Sequence, residues 1–292
     1  MMGTLVGRTV TGQTNVYGIL GDPVKHSLSP VMQNAAFSAL DMDAIYLPFH
    51  VTPQGLPHAV DGLRALNVRG VNVTIPHKEA VCSLIDVVDD AAYLIGAVNT
   101  IVNRGGQLVG YNTDGIGFVR SLKTDLGFEP SEQKRVIVLG AGGAARAAVV
   151  ALAKQGVAHI DIVNRNVHRA QELVDRYAPH FDQVSFASAP LCGQKITSLF
   201  GDCDLIINST SIGLSGESFN VLPWKSLKKG SVVYDMVYTP HGTPLVRDAL
   251  AAGFVACNGL GMLAAQGEEA FELWTGRTSG MMAKTLQEYL SC

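Results

Sequence analysis

The chain alternates short apolar runs with amphipathic stretches, the signature of strands and helices in turn. Apolar runs at 15–20, 44–50 and 71–75 predict three strands, the last closed by Pro76. Ser29-Pro30 opens a helix with Met32, Ala35, Ala36, Ala39 and Leu40 at helical spacing, and 54–66 predicts another. A third helix is expected over 77–88, then a hairpin from 97–102 and 108–111, and a helix starting at Asp114-Gly115. After the polar, turn-rich 127–131 the alternation resumes, with strands at 136–139, 159–163, 205–208 and 232–236. The tail from 259 to 290 reads as helical. Strands alternating with helices predict an α/β protein with mostly parallel sheets. Two domains are expected: 1–115, completed by the C-terminal helices 259–292, and 116–258, a Rossmann domain whose parallel sheet begins after the link at 127–131.

The segment 136–169 narrows the chemistry. Its first strand feeds Gly140-Ala141-Gly142-Gly143-Ala144-Ala145, a G-x-G-x-x-A turn, and the helix it opens runs to about Gln155, with Gly156 as the expected stop. Glycine at 140 permits a tight turn, glycine at 142 lets backbone N–H groups approach a pyrophosphate, and a small residue at 145 lets helix and strand pack closely. The helix N-terminus supplies oriented donors to phosphates. A ribose-binding acid would sit roughly 20 residues past the first glycine. Here the second strand ends instead in Asn164 and Arg165, with Asn166 as a helix N-cap and Arg169 one turn on. Two solvated arginines on a surface helix would look the same, but behind this turn they favour a ribose 2′-phosphate, hence NADP(H) over NAD(H).

Composition excludes several classes. Hydrophobic residues make up 47% and charged residues 16%, enough for sizeable cores and too little charge for disorder. The net charge of −3, without a long basic run, argues against nucleic acid or an anionic membrane as partner. Five scattered cysteines (Cys82, Cys192, Cys203, Cys257, Cys292) lack C-x-x-C or Cys/His ligand spacing, which fits reduced thiols and no metal site. With no apolar leader and no membrane-length helix, the expected location is cytoplasmic.

Four polar clusters fall at predicted strand ends, where open α/β sheets bind ligands: Lys25–Pro30, Asn72–Lys78, Ala97–Thr100 and Asn112–Gly115. Ser29 fits a helix cap ahead of Pro30, whereas Ser27 does not, and two hydroxyls so spaced can grip a carboxylate. Asn99 and Asp114 fit a turn residue and a cap. Lys78 has the chemistry of an acid–base group: an ammonium beside a carboxylate such as Asp114 can donate a proton to a carbonyl oxygen during hydride addition and accept it in reverse. An exposed helix lysine is the plain alternative. His26 and His77 read as surface or packing residues, and His241, in a turn after Pro240, as non-catalytic.

The motifs HSLSP, NVTIPHK, AVNT, NTDG, GAGGAAR, NRN, YDMVY and GLGMLAAQ occur in the order found in shikimate dehydrogenases, and the chain resembles that family almost end to end. The resemblance implies NADPH-dependent, reversible reduction of 3-dehydroshikimate to shikimate, in aromatic amino-acid and chorismate biosynthesis. It implies that the first domain binds substrate and the second binds NADP(H). By motif position, Ser27 and Ser29 hold the substrate carboxylate, with Tyr238 near it, and Lys78 and Asp114 form the catalytic pair. Thr74, Asn99 and Gln266 match positions that bind ring hydroxyls. Gly140 to Ala144 (Gly140, Ala141, Gly142, Gly143, Ala144), Asn164, Arg165, Asn166 and Arg169 match cofactor-binding positions, with Met236 and Gly259 near the nicotinamide. The family often has Asn-Arg-Thr where this chain has Asn164-Arg165-Asn166. Two rivals stay open: a quinate/shikimate dehydrogenase with relaxed substrate or cofactor choice, against which Ser29 counts because threonine there hints at quinate, and a non-catalytic NADP-binding regulator on the same scaffold. A homodimer is also left open.

Overall fold

A computed structural model describes residues 9–239 and 242–291. His241 and Cys292, which the sequence reads as non-catalytic and as a reduced thiol, lie outside the described residues. The chain divides into two compact units, residues 1–113 with 264–292, and residues 114–263.

The first unit is a mixed sheet with helices. In chain order it comprises β1 (Asn15–Gly21), α1 (Ser29–Ala39), β2 (Ala44–His50), α2 (Leu56–Ala65), β3 (Gly70–Val73), β4 (Val87–Val88), α3 (Asp90–Ile95), β5 (Thr100–Arg104) and β6 (Gln107–Tyr111). Its six strands run in the order β2-β1-β3-β5-β6-β4, parallel except for antiparallel β3–β5 and β5–β6. One face is closed by α2, whose Leu56, Val60 and Leu63 join Leu20, Val71, Val73 and Ile101 in a buried cluster.

The second unit comprises α4 (Asp114–Leu126), β7 (Arg135–Leu139), α5 (Gly143–Lys154), β8 (His159–Asn164), α6 (Val167–Tyr177), β9 (Ser185–Pro190), α7 (Gly193–Asp202), β10 (Leu205–Asn208), β11 (Val232–Asp235), α8 (Pro244–Ala251) and β12 (Val255–Asn258). Its sheet is wholly parallel, in the order β12-β11-β10-β7-β8-β9. Counted from β7 this is the 3-2-1-4-5-6 order of dinucleotide-binding folds, with the strand order reversing between β7 and β10. The interior strands are buried almost throughout, as expected of a parallel sheet covered on both faces.

Two last helices follow, α9 (Leu260–Thr275) and α10 (Met282–Leu290). From Ala264 onward they belong to the first unit. Trp274 Nε1 donates to the Ile101 carbonyl at 2.9 Å, and the Phe37 and Phe271 rings lie 5.2 Å apart. Among the described residues no helix is long and apolar enough to cross a membrane.

One predicted element fails. The helix expected over 77–88 is a single 3-10 turn, Ala80–Ser83, followed by β4. The Lys78 carbonyl accepts the Val98 N–H at 2.8 Å and the Asp86 N–H goes to the Leu108 carbonyl at 3.1 Å, so long-range partners displace the i→i−4 ladder. Elements not foreseen are β4, α3, capped by Asp89 and ended by left-handed Gly96, the edge strands β9 and β12, and the helices α7 and α8.

Candidate active site

In the first unit some of the polar residues singled out by the sequence, Asn72, Asn99, Thr100, Thr113 and Gln266, form one hydrogen-bonded cluster at strand ends. Asn72 on β3 and Thr100 on β5 are cross-strand partners, and Asn72 Nδ2 donates to Thr100 Oγ1 at 3.1 Å and to the Asn99 carbonyl at 3.2 Å. That carbonyl fixes the amide orientation, leaving Asn72 Oδ1 to accept the Tyr46 hydroxyl proton at 2.7 Å. Tyr46 is 1% exposed, and burial drives its phenol well above the usual range. A side-chain hydrogen bond with Ser29 acts the other way, and since the Tyr46 proton goes to Asn72 Oδ1, the Ser29 hydroxyl is the donor in it. Ser29 is thus not the helix cap. The cap position is Leu28, without a side-chain bond, and Ser27 Oγ accepts the Ser29 N–H at 3.3 Å.

Asn99 extends the cluster. Its Oδ1 accepts the Thr113 N–H at 2.8 Å, its Nδ2 donates to Thr113 Oγ1 at 3.0 Å, and Thr113 Oγ1 lies 3.5 Å from Gln266 Oε1. Asn99 and Thr113 are almost wholly buried and Gln266 is 8% exposed. So many polar groups withdrawn from water persist only because they bond one another. Thr74 and Lys78 are half-buried on the stretch that follows β3. The next residue after Thr113 is Asp114, buried at the start of α4. His77 is buried with Nε2 2.6 Å from the Val51 carbonyl, a packing role, and His26 is exposed.

The second unit supplies a phosphate cradle. Gly140 has φ +114, and a Cβ there would stand 2.7 Å from Ser209 Oγ, so only glycine fits. At Gly142 and Gly143 no atom lies within 4 Å of where a Cβ would be, and no side chain caps α5. Glycines thus lead into a helix N-terminus that no side chain caps, the kind of place where backbone amides can receive a pyrophosphate. Asn166 caps α6 by accepting the His168 N–H at 3.0 Å, and Asn164 Nδ2 bonds the Asn166 carbonyl at 2.9 Å. Arg165 and Arg169 are exposed at this corner, and the stretch 164–169 that forms it contains no acid. The residues present fit NADP(H).

Beyond β11, Met236 and Tyr238 are half-buried, and burial pushes the Tyr238 phenol up. Gly259 is needed by contact, since a Cβ would lie 2.4 Å from the Met236 carbonyl oxygen. The sequence reading passed over Tyr46, Asn208 and Asp235. For the last two a signal existed, as each is a polar residue ending an apolar run, Leu205–Asn208 and Val232–Asp235.

Comparison with known proteins agrees with this architecture. The shikimate dehydrogenase substrate binding domain matches residues 19–101, the shikimate/quinate 5-dehydrogenase family matches 124–214, and the shikimate 5′-dehydrogenase C-terminal domain matches 259–279. The shikimate dehydrogenase (NADP(+)) of Geobacter metallireducens is 51% identical over 267 residues, spanning 91% of this chain and 93% of its own. Among solved structures, the Listeria monocytogenes shikimate 5-dehydrogenase in complex with shikimate and NAD has a TM-score of 0.89 at 35% identity, covering 98% of this chain and 99% of that one. The Thermus thermophilus enzyme in complex with NADP(H) and shikimate has a TM-score of 0.83 at 34% identity, covering 94% and 99%. With half its sequence identical to a curated relative along nearly the whole length of both, this chain belongs to the shikimate dehydrogenase family.

Proposed function

We propose that the chain catalyses the reversible, NADPH-dependent reduction of 3-dehydroshikimate to shikimate, a step of aromatic amino-acid biosynthesis. The observation that carries this reading is the buried cluster Asn72–Thr100–Asn99–Thr113–Gln266, a set of amides and hydroxyls suited to a polyhydroxylated ring. The first unit is the substrate-binding domain and the second the cofactor-binding domain.

When bound, NADPH supplies the hydride that reduces the carbonyl carbon. The Lys78 ammonium donates the proton that the carbonyl oxygen needs to become a hydroxyl, and Asp114 keeps that ammonium charged and aimed. In the oxidative direction the same pair accepts the hydroxyl proton. Ser27 and Ser29 hold the substrate carboxylate, with Tyr238 beside it. Thr74, Asn99 and Gln266 fix the ring by its hydroxyls, so the reacting carbon meets the cofactor in one pose. The amides at 140–144 would hold the pyrophosphate, and Asn164, Arg165, Asn166 and Arg169 the adenosine ribose and its 2′-phosphate. Met236 and Gly259 would take the nicotinamide end.

The test is direct: purified protein given shikimate and NADP+ is followed at the absorbance of NADPH. Turnover with shikimate, at a kcat/KM well above that with quinate, is the expected result. Absence of shikimate-dependent reduction rejects the proposal.

A further inference from the structure

A buried polar pair in the second unit is not used by the chemistry described so far. Asn208 ends β10 and Asp235 ends β11, and the parallel register sets them side by side, with both 0% exposed. Asn208 Nδ2 donates to Asp235 Oδ1 at 2.8 Å. The same register row continues to Leu139 at the end of β7 and to Asn258 at the end of β12. Four neighbouring strands therefore finish level at the edge that carries the phosphate turn.

From that row, bonds run to each following loop. Asn208 Oδ1 accepts the Thr210 N–H at 2.9 Å and the Thr210 hydroxyl at 2.7 Å, while its Nδ2 also donates to the Ile212 carbonyl at 3.0 Å. Ser209, between them, donates its N–H at 2.9 Å and its hydroxyl at 2.7 Å to the Leu139 carbonyl, immediately before Gly140. On the other side, Asp235 Oδ1 accepts the Val237 N–H at 3.0 Å. The Val237 carbonyl accepts the Gly259 N–H at 3.3 Å. A continuous set of bonds thus joins the phosphate turn to the 236–238 segment by two parallel links, the Met236 N–H donated to the Asn208 carbonyl at 2.9 Å and, through side chains, Asp235 Oδ1 between the Asn208 amide and the Val237 N–H.

We infer that Asp235 is a positioning residue for hydride transfer: by bonding both the Asn208 amide and the Val237 N–H, its Oδ1 fixes Met236 and Tyr238 relative to the glycine-rich turn. This deepens the function proposed above and rests on it. In both of these bonds the Asp235 carboxyl is the acceptor. Burial raises its proton affinity, with the Thr243 hydroxyl, the Val237 N–H and the Asn208 amide acting the other way. An amide oxygen can accept the same two bonds, so Asp235→Asn keeps the junction. Asp235→Ala leaves the Asn208 amide and the Val237 N–H without their acceptor in a buried place.

The experiment compares wild type, Asp235→Ala and Asp235→Asn in shikimate-dependent NADP+ reduction and in inhibition by 2′,5′-ADP. That inhibitor carries the phosphorylated adenosine end of the cofactor and no nicotinamide. Asp235→Ala is expected to lower kcat/KM about tenfold or more, with Asp235→Asn restoring it to within about threefold and 2′,5′-ADP inhibition within about twofold of wild type in both. Unchanged turnover in Asp235→Ala overturns the inference. So does a parallel loss of turnover and 2′,5′-ADP binding, which marks a purely structural role, or an asparagine variant as impaired as the alanine one. If Asp235→Ala does not yield folded protein, Asn208→Ala reads the junction from its other side, with the same split supporting the inference and a parallel loss rejecting it. A wild type without shikimate turnover rejects the functional proposal at the first step, before any variant is compared.

Discussion

Asn99 Oδ1 accepts the Thr113 N–H at 2.8 Å, and Asn99 Nδ2 returns a bond to Thr113 Oγ1 at 3.0 Å. This two-bond clamp holds the residue immediately before Asp114. On the other side of Asn99, its neighbour Val98 donates its N–H to the Lys78 carbonyl at 2.8 Å. One asparagine thus stands between the backbone supports of both residues proposed to manage the proton. Asn99→Ala is expected to lower kcat/KM for shikimate by about 10²-fold, through lost ring contacts and a loosened Thr113. Steady-state kinetics at saturating NADP+ measures it, and a variant indistinguishable from wild type removes Asn99 from the site.

Lys78 has a narrower expected effect. If its ammonium supplies the proton, Lys78→Ala lowers kcat by about 10²–10⁴-fold, the range for loss of a general acid or base. KM for shikimate should change little, because the serines and the Asn99 cluster are the residues proposed to bind it. A variant with raised KM and intact kcat would instead make Lys78 a substrate contact.

How far these features were legible depends on whether their cause is local. Gly140, with φ +114, and Gly156, with φ +71, do what their positions in the turn and at the helix end demand, and Asn166 caps α6 as its place predicts. Such effects reach across a few residues, so the sequence carries them. The helix expected at 77–88 is lost because the Lys78 and Leu108 carbonyls take partners about 20 residues away, which no local pattern encodes. Ser29 shows the same limit: its neighbourhood suggests a cap, but its hydroxyl serves Tyr46 on β2. The Asn208–Asp235 pair needs strand register, and the edge strands β9 and β12, no shorter than β10 and β11 but much less buried, lack the apolar run that would make them stand out.

The cofactor corner gives a prediction of discrimination. Arg165 is exposed beside Asn164 and Asn166, and its assigned partner is a phosphate that NAD lacks. Arg165→Ala is expected to raise KM for NADP+ about tenfold, the scale of one charge-assisted hydrogen-bonding pair, and to leave KM for NAD+ nearly unchanged. Equal losses with both cofactors would refute the 2′-phosphate assignment.

Tyr46 lends itself to a stability measurement. Its hydroxyl is the donor to Asn72 Oδ1, so Tyr46→Phe strands a buried acceptor with almost no change of shape. The expected cost is about 1–3 kcal/mol in urea unfolding. A smaller loss means that another donor reaches Asn72.

The pH dependence of stability has a clear candidate in Asp204, next to the start of β10. Burial alone would raise its carboxyl, but the Lys228 ammonium at 2.7 Å and the Arg135 N–H at 2.9 Å outweigh it and hold it below 3.8. A carboxyl whose proton affinity is depressed on folding adds stability while ionised, above the unfolded-state value, and loses it as the pH falls through the folded one. Asp204→Asn should therefore be destabilised relative to wild type by a constant amount above about pH 5, with the gap closing as the pH drops through 3.8 and below. Lys228→Met should show the same trend more weakly, since it leaves the Arg135 bond in place. Urea unfolding of the three proteins from pH 7 downward reads both gaps. A gap between Asp204→Asn and wild type that stays constant to pH 3 would mean that Asp204 contributes through packing and not through its charge.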